Sequence, residues 1–132
     1  PIKLNVFVCS TAKDTDFTAK LLDVEPCGYA RNLTDGIIRG RFRNTDQDAS
    51  FLNPGQIYQV EINLGATSNL FLKGHQIRLE ISSSNFPRYD RNLNTGNLSP
   101  RATQTQRASQ RVYHSKHHPS YMLLPVIPKE NM

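Results

Sequence analysis

The side chains able to do nucleophilic, acid–base or metal chemistry are scattered along this chain, and few share a useful spacing. A serine nucleophile of the α/β type needs a G-x-S-x-G elbow between a strand and a helix. No such pentapeptide occurs. The serines cluster instead as Ser82-Ser83-Ser84, after an alternating apolar run, where the pattern reads as a strand end. Of the four histidines, only His114-x-x-His117-His118 has a spacing that suggests a metal. Zinc wants a full set of His or Cys ligands, and no HExxH or neighbouring Cys completes one. Adjacent histidines on a strand would also point to opposite faces. His75 follows Gly74 at a turn and reads as a hydrogen-bonded structural residue. Asp14-x-Asp16 and Asp46-x-Asp48 are carboxylate pairs in loops. Calcium takes about six to eight oxygens, and neither pair continues into a loop that would supply them. No catalytic residue, metal ligand or cofactor is assigned from these groups.

Cys9 and Cys27 form no C-x-x-C pair and read as buried free thiols. A disulfide between them requires their strands to be adjacent. The sequons Asn32-Leu33-Thr34 and Asn97-Leu98-Ser99 are of a kind common by chance.

The 132 residues, 37% of them apolar, are enough for one domain with its own core. No apolar run approaches the length of about 18 residues that suggests a membrane span, and the start of the chain has no signal-peptide pattern. The chain enters a strand pattern directly after Pro1, as an internal fragment or processed product would. Residues 1–84 carry nine Lys/Arg and nine Asp/Glu, whereas residues 85–132 carry seven and two. The net charge of +5 therefore sits wholly in the last third. Its basic residues are single and spaced, without the runs of a nucleic-acid surface. They read as a solvated face, or as one that docks on an acidic neighbouring domain.

Ile2, Leu4, Val6 and Val8 alternate with Lys3, Asn5 and Phe7, which predicts a half-buried strand over 2–8. A second strand is predicted over 16–24, closed by the turn Glu25-Pro26-Cys27-Gly28, with 29–33 returning antiparallel. Asp35-Gly36 reads as a further turn before a strand over 37–43 that sets Arg39, Arg41 and Arg43 on one side. Asn53-Pro54-Gly55 reads as a turn. A strand over 57–64 follows, with Tyr58, Val60, Ile62 and Leu64 inward. The next covers 76–82, with Ile77, Leu79 and Ile81 inward and Arg78 and Glu80 outward. Two closing strands are expected over 110–114 and 121–127, the second demoted to an edge by Pro125. No segment has helical periodicity. Seven or eight short strands at this spacing predict an all-β sandwich.

The long polar stretch from Asn85 to Gln110 is unusual inside a compact domain, where such loops are functional or docked. Its first part sets Phe86, Pro87 and Tyr89 among Asn85, Arg88, Asp90, Arg91 and Asn92. Pro87 keeps Phe86 out of the helical region. Arg and Asp can pair within the segment, and Asn side chains can bond nearby backbone. It reads as a rigid structural loop, as a docking loop presenting Phe86 and Tyr89 to a neighbouring domain, or as a ligand-binding loop.

At this point the sequence resembles a known family. The run Asp14-Thr15-Asp16-Phe17-Thr18-Ala19-Lys20-Leu21-Leu22-Asp23-Val24, then Leu33-Thr34-Asp35-Gly36-Ile37-Ile38-Arg39, carries part of the likeness. Leu52-x-Pro54-Gly55, Thr67-Ser68-Asn69, Gly74-His75-x-Ile77-Arg78 and Ser83-Ser84-Asn85-Phe86-Pro87-x-Tyr89-Asp90-Arg91-Asn92 carry more, with His118-Pro119-Ser120 and Leu124-Pro125 at the end. Jointly they resemble the C-terminal non-catalytic domain of the X-Pro dipeptidyl-peptidase and cocaine-esterase-like serine hydrolases. The resemblance implies a jelly-roll-like, galactose-binding-like β-sandwich over 1–132, lacking one or more first strands. It implies an α/β-hydrolase catalytic domain of the same protein as partner, with catalytic residues that have no counterpart here. Asn85, Phe86, Pro87, Arg88, Tyr89, Asp90, Arg91 and Asn92 are then the candidates for docking on that partner. The resemblance leaves room for a homo-oligomer, and calls for no cofactor, nucleic acid or membrane. A stand-alone module binding carbohydrate or another small ligand is the competing reading; it has five tyrosines for stacking but no tryptophan.

Overall fold

The computed structural model describes residues 1–45, 47–99 and 101–129. Its strands are β1 Ile2–Ser10, β2 Asp16–Val24, β3 Ala30–Arg39, β4 Tyr58–Gly65, β5 Gln76–Ser82, β6 Gln110–Tyr113 and β7 Tyr121–Leu123. They form two antiparallel sheets, one in the order β4-β1-β6 with β7 also on β1, the other in the order β3-β2-β5. The two sheets pack face to face as a sandwich.

Alternation builds the core. Ile2, Leu4, Val6 and Val8 of β1, Phe17, Ala19 and Leu21 of β2, and Val60, Ile62 and Leu64 of β4 form one buried cluster. Each of the larger of these side chains contributes roughly 1.5–3 kcal/mol by leaving water. Lys3, Asn5, Phe7 and Cys9 fall on the other face of β1 and are only partly covered. β2 is the central strand of its sheet and is buried on both faces except at Lys20. The turn after it closes as predicted, with the Gly28 amide donating to the Glu25 carbonyl at 2.8 Å. Gly28 sits at φ +93, where a side chain would be strained.

One edge of the larger sheet is built in two pieces. β4 occupies one side of β1, and on the other side β6 pairs with Phe7–Ser10 while β7 pairs with Lys3–Asn5. Ser120 bridges the break between them. The Phe7 amide donates to its Oγ at 2.9 Å, and its hydroxyl donates to the Tyr113 carbonyl.

Several expectations are corrected. Asp35-Gly36 is not a turn, because β3 runs through it with Asp35 opposite Lys20 and Gly36 opposite Ala19. Gly36 serves a close approach instead: a Cβ there would lie 2.3 Å from the Asn63 carbonyl oxygen of β4. Beside it, the Thr34 hydroxyl donates to the Leu64 carbonyl, so the sandwich is shut along β3 and β4. The predicted strand over 37–43 stops at Arg39, and Gly40–Phe42 forms a 3₁₀ turn, so Arg39, Arg41 and Arg43 share no strand face. The last strand ends at Leu123, which leaves Pro125 beyond it. Ile77 is 53% exposed although it lies on the inward row of β5, since no described residue packs over that edge. Cys27 is exposed at the hairpin tip, Cys9 is half-buried in β1, and both are free. Asp46 lies outside the described residues.

Candidate docking site

The connections β1–β2, β3–β4 and β5–β6 all lie at one end of the sandwich, and there the polar residues singled out by sequence meet. The antiparallel register sets Asp16 opposite Arg39. Continuing that register brings Asp14 to Arg41, so two Asp-x-Asp carboxylates face two Arg-x-Arg guanidiniums. Arg39 grips Asp16 as a fork, Nε to Oδ1 at 2.9 Å and Nη2 to Oδ2 at 3.1 Å. Such bidentate pairs are among the stronger polar contacts. The Asp16 carboxylate in turn raises the affinity of the Arg39 guanidinium for its proton, chiefly by hydrogen bonding. Asp14 receives Arg41 Nη1 at 2.9 Å and the Arg41 backbone amide at 3.0 Å. Both aspartates are buried. These carboxylates are therefore structural anchors, not calcium ligands in an open loop.

The segment after β5 uses those anchors. It leaves the sheet at Ser82, whose carbonyl accepts from the Thr18 hydroxyl at 3.3 Å. Ser82 and Ser84 hydroxyls then accept the amides of Ser84 and Phe86, which occupies them as turn formers. Asn85 Nδ2 reaches Asp35 at 3.3 Å, and Arg88 Nε reaches the same carboxylate at 2.8 Å. Asn92 Nδ2 spans both anchors, 3.1 Å from Asp14 and 2.9 Å from Asp16. The Asp90 carbonyl accepts from Arg39 at 3.5 Å. The loop thus lies over β2 and β3 on the face away from the core, held by four of its eight residues. The carboxylates of Asp14, Asp16 and Asp35 brace it, and local bonds add to them, the Tyr89 amide to the Asn85 carbonyl at 3.3 Å and the Asn94 amide to Asn92 Oδ1 at 2.9 Å. Further on, Asn94 Nδ2 donates to the Gln106 carbonyl at 3.0 Å, and the Gln106 amide returns to the Leu93 carbonyl at 2.9 Å.

Asn85 and Asn92 turn inward, and the loop shows Phe86, Pro87, Asp90 and Arg91 to solvent, with the Arg88 side chain 61% exposed despite its bond to Asp35. Phe86 is 52% exposed, and the Arg91 guanidinium lies 4.0 Å from its ring centroid. Tyr89 is partly buried beneath Arg88. The result is an exposed aromatic ring with the Arg91 guanidinium over it, and a second exposed guanidinium at Arg88. Nearby, a polar cavity of about 380 Å³ is lined by Lys13, Thr95, Gly96, Asn97, Thr103 and Gln104, among others. Among the described residues no aromatic side chain lines it, although the Phe51 ring lies close by, 5.1 Å from Lys13 Nζ.

At the opposite end, buried Asp23 takes His75 Nδ1 at 2.7 Å, Asn69 Nδ2 at 3.2 Å and Arg31 Nη2 at 3.3 Å. An Asp–His pair also orients the base of a catalytic triad. Among the described residues no hydroxyl or thiol is hydrogen-bonded to His75, so the pair is structural here, in the role predicted for His75. Burial pushes the Asp23 carboxyl up, but hydrogen bonds from His75, Asn69 and Arg31 outweigh it and hold the group below its ordinary value. The unfolded carboxylate titrates near about 3.9. The stabilisation is therefore fully present above that pH and is lost as pH falls through the lower folded value. We expect the difference in unfolding free energy between the parent and Asp23→Asn to be constant near neutrality and to narrow below about pH 4. A difference that stays constant from neutral pH down to strong acid, measured by denaturant titration, would refute this.

The remaining histidines do not converge. His114 and His117 are exposed on the loop between β6 and β7, while His118 packs on Phe7 and Tyr113 with centroids 5.4 and 5.2 Å away.

Comparison with known proteins places this geometry in a wider set. The sequence profile described as X-Pro dipeptidyl-peptidase C-terminal non-catalytic domain matches residues 1–123. A cocaine esterase from Rhodococcus sp. (strain MB1 Bresler) is 47% identical over 130 residues, which is 97% of this chain and 23% of that protein. An aminopeptidase from the marine sediment archaeon Thaumarchaeota archaeon superposes with a TM-score of 0.86 at 31% identity, covering 92% of this chain and 22% of that one. An α-amino acid ester hydrolase superposes with a TM-score of 0.79, also at 31% identity and with the same coverages. The chain spans less than a quarter of the length of these relatives.

Proposed function

The chain belongs to the X-Pro dipeptidyl-peptidase C-terminal non-catalytic domain family, and from that premise we propose that it buttresses the catalytic domain of a larger α/β-type serine hydrolase. The parent would cleave X-Pro peptides or small esters, as the activities in its relatives' names suggest. The domain supplies no nucleophile. It packs on its catalytic neighbour and helps wall the active-site cleft. The observation that carries this reading is the loop from Asn85 to Asn92, pinned from beneath by Asp14, Asp16 and Asp35, with Phe86 and Arg91 left facing outward. A pre-ordered aromatic–arginine pair is what a protein interface uses as an anchor, because little side-chain entropy is lost on contact.

In the full-length hydrolase, Phe86→Ala should raise KM about three- to tenfold with kcat changed less, the pattern of a lost positioning contact. Steady-state kinetics on an X-Pro amide and an aryl ester measure it. Unchanged kinetics together with an unchanged unfolding profile would remove this loop from the docking surface.

A further inference from the structure

Three connections converge at the end of the sandwich that carries the loop from Asn85 to Asn92. Lys13 comes from the β1–β2 connection, Phe51 from the β3–β4 connection, and two arms, 95–97 and 102–104, from the long connection before β6. Lys13 and the two arms surround the polar cavity of about 380 Å³, with Phe51 beside it. Local bonds shape the arms. The Asn97 amide donates to Thr95 Oγ1 at 3.2 Å, the Ser99 amide to Asn97 Oδ1 at 2.9 Å and the Ala102 amide to the Ser99 carbonyl at 3.1 Å. The bonds among Leu93, Asn94 and Gln106 tie the arms at their base. Gly96 sits at φ +75, and a Cβ there would lie 2.5 Å from Lys13 Cε and 3.2 Å from the Phe51 ring. The missing side chain thus gives Lys13 room along the cavity wall, with its ammonium 5.1 Å from the centre of that ring.

The lining holds a single charge. Lys13 supplies a cation, and among the described residues no carboxylate lines the cavity. The other functional groups are the hydroxyls of Thr95 and Thr103 and the amides of Asn97 and Gln104. Among the described residues, no carboxylate pairs with the Lys13 ammonium, and no hydrogen bond engages the side chains of Thr103 and Gln104. Asn97 spends its side-chain oxygen on the Ser99 amide and keeps its NH2 to donate. Each of these four polar side chains carries both a donor and an acceptor. The cavity therefore presents one positive charge and a set of neutral groups that can give or take hydrogen bonds.

We infer that this cavity binds a small polyhydroxylated carboxylate, of the sugar-acid class. The carboxylate would accept a charge-assisted hydrogen bond from Lys13. The hydroxyls would exchange bonds with Thr95, Asn97, Thr103 and Gln104, which match groups that both donate and accept. The volume lies at the lower end of the range of about 300–1,000 Å³ for small-molecule sites, which suits one sugar ring. Other small ligands match the lining less well. An amino acid or short peptide brings an ammonium beside Lys13, with no carboxylate in the lining to receive it. A phosphate monoester brings about two negative charges against one cation. A neutral sugar leaves the Lys13 charge unused. At longer range the net charge of +5 also favours the approach of an anion.

This inference goes beyond the buttressing role and does not rest on it; normal kinetics for Phe86→Ala would leave it standing. It is tested on the full-length hydrolase by saturation-transfer NMR at fixed ionic strength, with glucuronate as the probe and glucose and acetate as comparisons. Glucuronate should bind saturably with a Kd of about 1 mM, the range for so small a ligand in an open site. Glucose and acetate should each bind at least about tenfold more weakly, because each lacks one of the two features the lining matches. Lys13→Gln should weaken glucuronate at least about tenfold, the loss of one charge-assisted bond, and leave glucose unchanged. Lys13 is exposed, so an unchanged unfolding profile is expected beside that loss. The pair Thr103→Ala and Gln104→Ala, also exposed, should weaken glucuronate about five- to tenfold. Absence of saturable glucuronate binding at about twenty times the expected Kd would overturn the inference. So would glucose binding as tightly, which would make the ligand a neutral sugar, or acetate binding as tightly, which would reduce Lys13 to a nonspecific anion contact. An affinity for glucuronate that Lys13→Gln does not move would place the sugar acid elsewhere on the hydrolase and overturn it as well.

Discussion

Asp14→Ala should lower the stability of the chain by about 3–5 kcal/mol, because it leaves the largely buried Arg41 guanidinium without its counter-charge. Arg41 is only 14% exposed, and the lost carboxylate also accepts the Arg41 amide and one bond from Asn92. Removing one partner of such a pair costs more than the pair contributes, since the survivor keeps its desolvation penalty. In thermal unfolding the loss corresponds to a fall of about 10–20 °C for a domain of this size. Glu61→Ala is the matched comparison. It breaks the exposed Lys3–Glu61 pair, in which the side chains are 40% and 50% exposed, and should cost no more than about 0.5 kcal/mol. Equal effects from the two substitutions would show that burial of Asp14 does not set the energetics. The same change should loosen the loop from Asn85 to Asn92, because Asn92 keeps only Asp16 as an anchor.

The second large effect is expected at Gly36. Exchanging glycine for alanine in a strand ordinarily gains a few tenths of a kcal/mol or more by restricting the unfolded chain. Here the added Cβ would meet the Asn63 carbonyl oxygen at 2.3 Å and the Ile62 side chain at 3.1 Å. The first contact is backbone, which cannot rotate away, so β3 and β4 must part. We expect Gly36→Ala to destabilise by about 2–3 kcal/mol, the cost of an overpacked contact. Denaturant titration measures it, and a neutral or stabilising result would mean that the two strands separate freely at this corner.

Gly36 also shows where sequence reading stops. Asp-Gly is a strong turn signal, and its local chemistry fits a turn. What fixes its role is a carbonyl of β4, distant along the chain, and no local pattern carries that information. β2 and β5, by contrast, run over the predicted residues, because period-two alternation is a local property. The inward row of β5 was legible too, but its exposure was not, since that depends on which strand, if any, lies beside it. The anchors lie between these cases. Asp14-x-Asp16 was visible as a pair, and Arg39-x-Arg41 repeats the same spacing with opposite charge. An antiparallel hairpin joining the two runs would have matched them. The bonds from Asn92 had no such signal, because 76 and 78 residues separate it from the carboxylates. The inward turn of Asn85 and Asn92 depends on those distant partners, and it leaves Phe86 and Arg91 facing outward.

The split edge of β1 also has a consequence for the order in which the chain assembles. β2 and β3 form a hairpin from neighbouring residues, and β5 joins them once residue 82 has been made. β1 is synthesised first, yet its partners are β4, β6 and β7, the last at Tyr121–Leu123. Closing loops that long carries its entropic cost before any pairing offsets it. On the ribosome β4 can therefore pair with one edge of β1 before β5 completes the smaller sheet, while the other edge of β1 waits for Gln110–Tyr113 and Tyr121–Leu123. Until then β1 has one unsatisfied edge, the kind of unpaired strand edge that makes a folding intermediate prone to aggregate.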